Sequence, residues 1–312
     1  DSSLVGSEMC IRDSIDIGRL PLATPEGFDP QRPFLWIEGR NLLDDALLWT
    51  PFEMVHANYA EPEPAHSGAF PATTNGLASG NTWDEAALHA LMEVIERDAF
   101  TLWRLSRDAW GDATAIDPLT VDDPACRSIL DRFDDANIDV AIWDATSDVG
   151  APCFVVMIND ALGETGAAEL GAGAHPAPEV ALCRALTEAA QARLTFIAGA
   201  REDIPDADYT TEAIEERRRI AAATIGDLKP QRLFGDVASI ETPTISGDID
   251  ATLDRLRAVG VEQAVAVDLS KPQLPYSVCR VVVPGLEAAF EGVVDGYVPG
   301  PRAERLLQEA AE

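Results

Sequence analysis

Between Thr73 and Phe100 the chain reads TTNGLASGNTWDEAALHALMEVIERDAF, a run of small residues followed directly by carboxylates at Glu85, Glu93 and Glu96 and a guanidinium at Arg97. Thr82 is of N-cap type and Glu85 follows at capping-box spacing, which predicts a helix from about Trp83 to Ser106. At about 100° per residue, Glu85, His89, Glu93 and Glu96 fall within roughly 80° of one another, while Leu88, Leu91, Ile95, Ala99 and Leu102 gather on the other side. Acids so placed repel unless a cation lies among them, and no lysine alternates with them at the i, i+4 spacing that supports an exposed helix. A hard ion such as Mg²⁺ takes one or two carboxylates together with water and phosphate oxygens, and an Arg grips phosphate bidentately. The pattern points to a metal-nucleotide site. A merely solvated acidic face is the competing reading, and spacing alone leaves both open.

A second polar stripe lies on a helix predicted over 177–199. Arg184, Glu188, Gln191 and Thr195 fall within about 60° on a wheel, opposite Leu182, Ala185, Leu186 and Ala189. Taken alone, this is equally the pattern of an ordinary amphipathic surface helix. His175, ahead of a Pro at the start of that helix, is a proton carrier or a capping residue.

The elements that must position these groups alternate along the chain. Strands are predicted at FLWIEG and ALLWTP between Phe34 and Pro51, at Asp139 to Asp144, at Pro152 to Ile158, at Ala264 to Asp268 and at Tyr276 to Val283. Further helices are predicted over 122–136, 211–223 and 249–259, with a short amphipathic one at the C-terminus. Residues 61–71 read as a loop, and residues 202–209 and 226–246 as irregular acidic excursions. The fold class is therefore mixed α/β (α+β). The first fourteen residues, DSSLVGSEMCIRDS, carry no period and read as a translated adapter joined to a truncated frame, set apart from a body over 15–312.

With 312 residues, 46% apolar and 6% aromatic, the chain can bury a substantial core. Its formal charge of −31, from 54 acidic and 23 basic residues, argues against DNA or RNA as partner, since phosphate backbones are bound by clustered Lys and Arg. No run approaches the roughly 20 apolar residues of a membrane helix and no signal segment opens the chain, so a cytoplasmic location is expected. The five cysteines form no C-x-x-C pair and have no His at ligand spacing, the pattern of free thiols in a reducing compartment rather than of zinc ligands.

The stretch NGLASGNTxxEAxxHALxEVIERDA is similar to a characteristic segment of YcaO proteins, ATP-dependent enzymes that activate backbone amides of peptides. Phe34 to Tyr59, Gly171 to Thr195 and Val278 to Glu287 resemble further segments of that family, so the resemblance spans roughly Gln31 to Arg302 and implies a YcaO-like fold, with mixed sheets and helices lining a nucleotide cleft. It implies that Glu93, Glu96 and Arg97 form the E-x-x-E-R element that holds Mg²⁺ and phosphates, with Glu85 as an upstream acid of the same site. Glu188 and Gln191 match the end of an E-x-x-E-x-x-Q motif whose first Glu is Ala185 here, with Arg184 beside them. Asn75, Gly76 and Gly80 would shape the loop by which the nucleotide approaches, and Arg280 is a further nucleotide contact or a plain salt-bridge partner. The implied cofactors are ATP and Mg²⁺, and the implied substrate is a peptide or protein. The VPGLE and YVPGPRA endings resemble members associated with a TfuA partner; a homodimer is compatible with the sequence and not specified by it. The family's upstream S-x-x-E-x-x-E-R helix has no counterpart before Phe34, so the body is expected to lack its N-terminal portion. Cyclodehydration to azolines and thioamidation both stand as activities, beside a non-catalytic module that binds a peptide or partner with an incomplete nucleotide site.

Overall fold

The computed structural model describes residues 3–6, 13–23, 29, 31, 33–58, 68–106, 109–160, 162–163, 166–199, 204–288 and 298–311. Along the chain run β1 (Ser3–Gly6), β2 (Phe34–Asn41), β3 (Leu47–Pro51), β4 (Leu77–Gly80), α1 (Trp83–Leu105), β5 (Ala115–Ile116), α2 (Pro124–Asp135), β6 (Ile138–Asp144) and β7 (Cys153–Asp160). There follow β8 (Glu169–Ala174), α3 (Pro178–Ala198), α4 (Thr211–Asp227), α5 (Ile245–Ala258), β9 (Val265–Asp268), β10 (Ser277–Val282) and α6 (Pro301–Ala311). They divide into two compact units, Asp1–Leu105 with Glu241–Glu312 and Ser106–Ile240. This is the mixed α/β class expected, and each helix foreseen from periodicity is present within a few residues of its expected ends.

In the first unit one sheet runs β1-β2-β9-β10-β4, with β3 also paired to β2, and every pairing of these strands is antiparallel. β2 alternates inward and outward residues, placing Phe34 and Trp36 in a core with Ile15, Phe70 and Val265. α1 packs on β4 and β10 and against α5 and α6. Residues 3–6, set apart on sequence grounds, pair with β2 in register from Ser3↔Ile37 to Gly6↔Phe34. Backbone pairing is indifferent to side-chain period, which is why no pattern announced it. Of the loop expected over 61–71, residues 61–67 lie outside the described residues.

In the second unit the antiparallel sheet runs β5-β6-β7-β8, with α3 on β7 and β8, α2 beside α3 and on β6, and α4 near β6 and β7. Its core joins Ile116, Ile142, Phe154 and Val156 from the strands to Leu130, Leu182 and Leu186 from the helices. β8 has the sequence ELGAGA and carried no strand signal, because Gly and Ala are poor strand formers. Tertiary packing makes it a strand: a Cβ at Gly171 would lie 2.2 Å from the Ala185 carbonyl oxygen, and one at Gly173 would lie 2.3 Å from that of Ala181. The bare glycine backbone lets α3 settle directly onto the sheet.

Candidate active site

The described residues place the site candidates in both units, and each set is built from its own unit. In the first, the small-residue segment crosses the end of α1. Gly76 adopts a left-handed φ of +77°, and a Cβ there would meet the Val281 carbonyl oxygen at 2.3 Å and Val94 Cγ2 at 2.8 Å. A Cβ on Gly80 would lie 2.5 Å from the Ala86 nitrogen in the first turn of α1. Both glycines are thus required by close backbone approach. Replacing Gly76 with Ala is expected to cost about 3 kcal/mol, combining left-handed strain with overpacking against β10. Urea unfolding of the variant against the parent protein measures this directly.

Arg280 braces the same loop. It is 1% exposed on β10, and its Nη1 donates to the Thr73 carbonyl oxygen at 2.6 Å. Among the described residues Asn75 Oδ1 is buried without a partner, and Asn75 lines a cavity of about 30 Å³ together with Thr73, Val94 and Arg280. That volume holds a single water-sized group, and the amide oxygen calls for a donor there.

α1 is buried almost all round from Ala86 to Thr101, with His89 the exposed position. Glu96 is 4% exposed, while Glu93 and Arg97 are half-buried. A freely solvated acidic face is therefore excluded for this helix. Glu85 takes the capping role its spacing foresaw, one residue further back. Its backbone N–H donates to Thr82 Oγ1 at 3.2 Å, and its Oε2 accepts from the Asn81 backbone N–H at 2.7 Å and from Asn81 Nδ2 at 2.9 Å.

With a helical rise of 1.5 Å per residue, Glu85 stands about 12 Å along the axis from Glu93 and about 16 Å from Glu96. A single ion shared by all three carboxylates is therefore geometrically excluded, and no group of three or more His, Cys, Asp or Glu side chains among the described residues has metal-holding geometry. The wheel projection that gathered these acids on one side contained no axial coordinate. Glu93 and Glu96, one turn apart, remain together, and two hard carboxylate oxygens beside a half-buried guanidinium fit Mg²⁺ with phosphate.

In the second unit the polar stripe on α3 is the accessible one: Arg184, Glu188 and Thr195 are half-buried and Gln191 is exposed, while Leu182, Ala185, Leu186 and Ala189 are fully buried. Glu188 Oε2 accepts the Ala172 backbone N–H at 3.0 Å, which ties the helix to β8. The departure at Ala185 has a packing reason. This position faces the glycine-lined strand at contact distance, where a carboxylate would be buried. His175 is a turn-capping residue, its Nδ1 accepting from the Ala177 backbone N–H at 3.0 Å.

Sequence reasoning missed a buried ionic cluster directly behind the acidic face of α1. Asp98 is 0% exposed and accepts from Arg302 Nε at 2.9 Å and Nη2 at 3.0 Å, and from the Glu287 backbone N–H at 2.9 Å. Glu287 in turn accepts the Gly300, Arg302 and Ala303 backbone N–H groups at the start of α6. Burial pushes the Asp98 carboxyl up to about 6 against the opposing pull of Arg302. The only available signal was an acid inside an apolar helical stretch; its partner lies 204 residues away.

Cys126, Cys153 and Cys279 are buried free thiols and Cys183 is a half-buried one. Burial pushes Cys126 and Cys279 up to about 12, far from nucleophilic readiness. No helix among the described residues is long and apolar enough to cross a membrane.

Comparison with known proteins bears on this arrangement. The family model for YcaO cyclodehydratase, ATP-ad Mg2+-binding, matches residues 12–287. A Rhizobium leguminosarum bv. trifolii protein named for its place in a tfuA 3' region is 34% identical over 285 residues, covering 89% of this chain and 66% of its own length. Among solved structures, a heterocyclase in complex with substrate and cofactor superposes with a TM-score of 0.75 at 21% identity, over 96% of this chain and 44% of that one. YcaO from Methanopyrus kandleri, bound with AMPPCP and Mg²⁺, gives 0.67 at 21% identity, over 86% of this chain and 68% of that one. The chain thus spans less than half of that heterocyclase and about two thirds of the Rhizobium relative. With the family model matched across most of its length, the chain belongs to the YcaO family of ATP- and Mg²⁺-binding cyclodehydratases.

Proposed function

We propose that this chain belongs to an enzyme that uses Mg-ATP to activate backbone amides of a ribosomally made peptide, in the cytoplasm and with a TfuA-type partner, and that its product is a thioamide. The observation that carries the enzymatic reading is the buried Glu96 one turn from Glu93 and next to Arg97, on a helix fixed on several sides. The TfuA link is supported by the tfuA-region relative and by the VPGLE and YVPGPRA endings.

In this reading Glu93 and Glu96 hold Mg²⁺ and Arg97 grips phosphate. Glu85, with one oxygen committed to Asn81, is left to a separate cation contact toward the start of α1. Asn75, Gly76 and Gly80 shape the loop that the nucleotide approaches, with Arg280 holding that loop through the Thr73 carbonyl; in the second unit, Arg184, Glu188 and Gln191 keep the nucleotide-contact role that the family resemblance gives them. Mg-ATP, when bound, would supply the phosphoryl group that carries the amide oxygen away as phosphate, while sulfide from an external donor would add to the carbonyl carbon. The chain's own residues orient and neutralise charge, which accounts for a site built of carboxylates and guanidinium groups without a reactive thiol.

The test is Mg-ATP hydrolysis by the full chain with its TfuA-type partner, candidate peptides and sulfide, followed by mass spectrometry of the peptide. Exchange of oxygen for sulfur with hydrolysis dependent on peptide is the expected outcome. Loss of one water per modified residue would replace thioamidation with azoline formation. Peptide binding indifferent to nucleotide would favour the non-catalytic module.

A further inference from the structure

β8 ends the sheet of the second unit, which runs β5-β6-β7-β8, and among the described strands it pairs with β7 on one side alone. In an antiparallel ladder successive residues turn their N–H and C=O groups alternately toward and away from the partner strand. Two side-chain bonds fix the phase of β8. The Ala172 N–H donates to Glu188 Oε2 at 3.0 Å, and the carbonyl oxygen of Ala168, just ahead of the strand, accepts from Arg217 Nη2 at 3.3 Å. Ala168, Leu170 and Ala172 therefore turn their main-chain groups outward, whereas Gly171 and Gly173 turn theirs to β7.

The same two side chains bracket the edge and leave its middle open. Among the described residues no hydrogen bond reaches the Leu170 N–H, the Leu170 C=O or the Ala172 C=O, and both residues keep part of their surface exposed. Sheet edges are commonly blunted by proline, lysine or a bulge. ELGAGA has none of these, and its register with β7 runs unbroken from Cys153↔Ala174 to Ile158↔Glu169. Outward donors and acceptors in strand alternation are complementary to the backbone of another extended chain, the mode of recognition by strand addition.

We propose that the outer edge of β8 takes the peptide substrate as an added antiparallel strand. This rests on the reading that the substrate is a peptide, and it states where that peptide lies. The peptide residue opposite Leu170 exchanges both ladder bonds with it, and the residue two positions earlier donates its N–H to the Ala172 C=O. The carbonyl of that earlier residue finds no ladder donor, because Glu188 holds the Ala172 N–H. One amide oxygen of the paired stretch is thus left unbonded beside Glu188. Pairing through main-chain groups is indifferent to side chains, which suits an enzyme that acts on backbone amides.

The test is binding of a fluorescein-labelled peptide, Lys-Thr-Val-Thr-Val-Thr-Lys, to the nucleotide-free full chain, read by polarisation and by residue-resolved amide hydrogen exchange. The Leu170 amide should exchange freely in the unbound protein and slow about ten-fold or more at saturating peptide, with Gly171 and Gly173 slow in both states. Methylating every internal peptide nitrogen should abolish binding. Leu170→Pro removes an N–H that makes no sheet bond, so the variant should unfold at the same urea concentration as the parent and bind the peptide about ten-fold or more weakly. A Leu170 amide already protected without peptide overturns the proposal, whether a second copy covers it, seen as protection lost on dilution, or the chain itself does. Binding that is undetectable, that leaves Leu170 exchange unchanged or that survives methylation overturns it as well. The exchange and methylation experiments need no variant, so they decide even if Leu170→Pro fails to fold. Peptide-dependent hydrolysis of Mg-ATP that persists while they fail would remove this site and leave the amide-activating reading standing.

Discussion

Glu96→Gln is expected to reduce peptide-dependent hydrolysis of Mg-ATP by at least about 10²–10³-fold, the scale on which removal of one preorganised charge-stabilising group acts. The substitution keeps the size and one carbonyl oxygen of a side chain that is 4% exposed, so packing around α1 is unchanged. The thermal stabilisation conferred by Mg-ATP should disappear in the variant. Steady-state hydrolysis and thermal unfolding with and without Mg-ATP read the two halves separately. A variant that retains full turnover would remove Glu96 from the reaction, and one that fails to fold would show a structural role instead.

Arg302→Met should be the most destabilising of these substitutions, by about 3–5 kcal/mol, because it leaves Asp98 as a buried charge without its cation. The effect has a definite pH dependence. In the parent protein the folded-state pKa of Asp98 is about 6 against an ordinary 3.8, raised chiefly by burial and opposed by Arg302. A raised pKa in the folded state means that the Asp98 contribution supports the fold below about pH 4 and is lost as pH rises through about 6, a change on the order of 3 kcal/mol. Without Arg302 the opposing influence is gone, and the window moves to higher pH. At pH 8 the variant must keep a bare carboxylate in the interior, whereas at pH 5 the group is protonated and the deficit shrinks. Denaturant titrations of the metal-free protein at both pH values check this; a deficit below about 1 kcal/mol, or one that grows toward acid, contradicts it. Arg302 lies beyond the span matched by the family model, yet it anchors α6 to the helix that bears Glu93 and Glu96.

The helices were legible because their information is local. Thr82 and Glu85 set the start of α1, a 3.6-residue apolar period sustained its length, and Pro178 and Gly199 bracket α3. The strands rich in Val, Ile and Trp were legible for the same reason. β4 and β8 were not, because LASG and ELGAGA become strands only where β10 pairs with the first, and where β7 pairs with the second and α3 packs on its glycines. The candidate acids could be named from their spacing, and the resemblance to the YcaO family starts from those same residues, while membership rests on the family-model match over residues 12–287. What the wheel could not resolve was depth and axial distance: Glu96 is buried, Glu85 is committed to Asn81, and the two stand too far apart for one ion.

The amino-acid sequence by itself determined the α/β class, the helix bounds and the residue types of an ATP- and Mg²⁺-binding family. Tertiary structure alone decided that Asp98 meets Arg302 across 204 positions, that Ala185 sits where a carboxylate would be buried, and that β8 lies at the edge of its sheet. The division follows from range. Capping and periodicity act within a few residues and leave their mark on neighbouring letters, whereas burial and ionic pairing depend on which distant segments the core brings together.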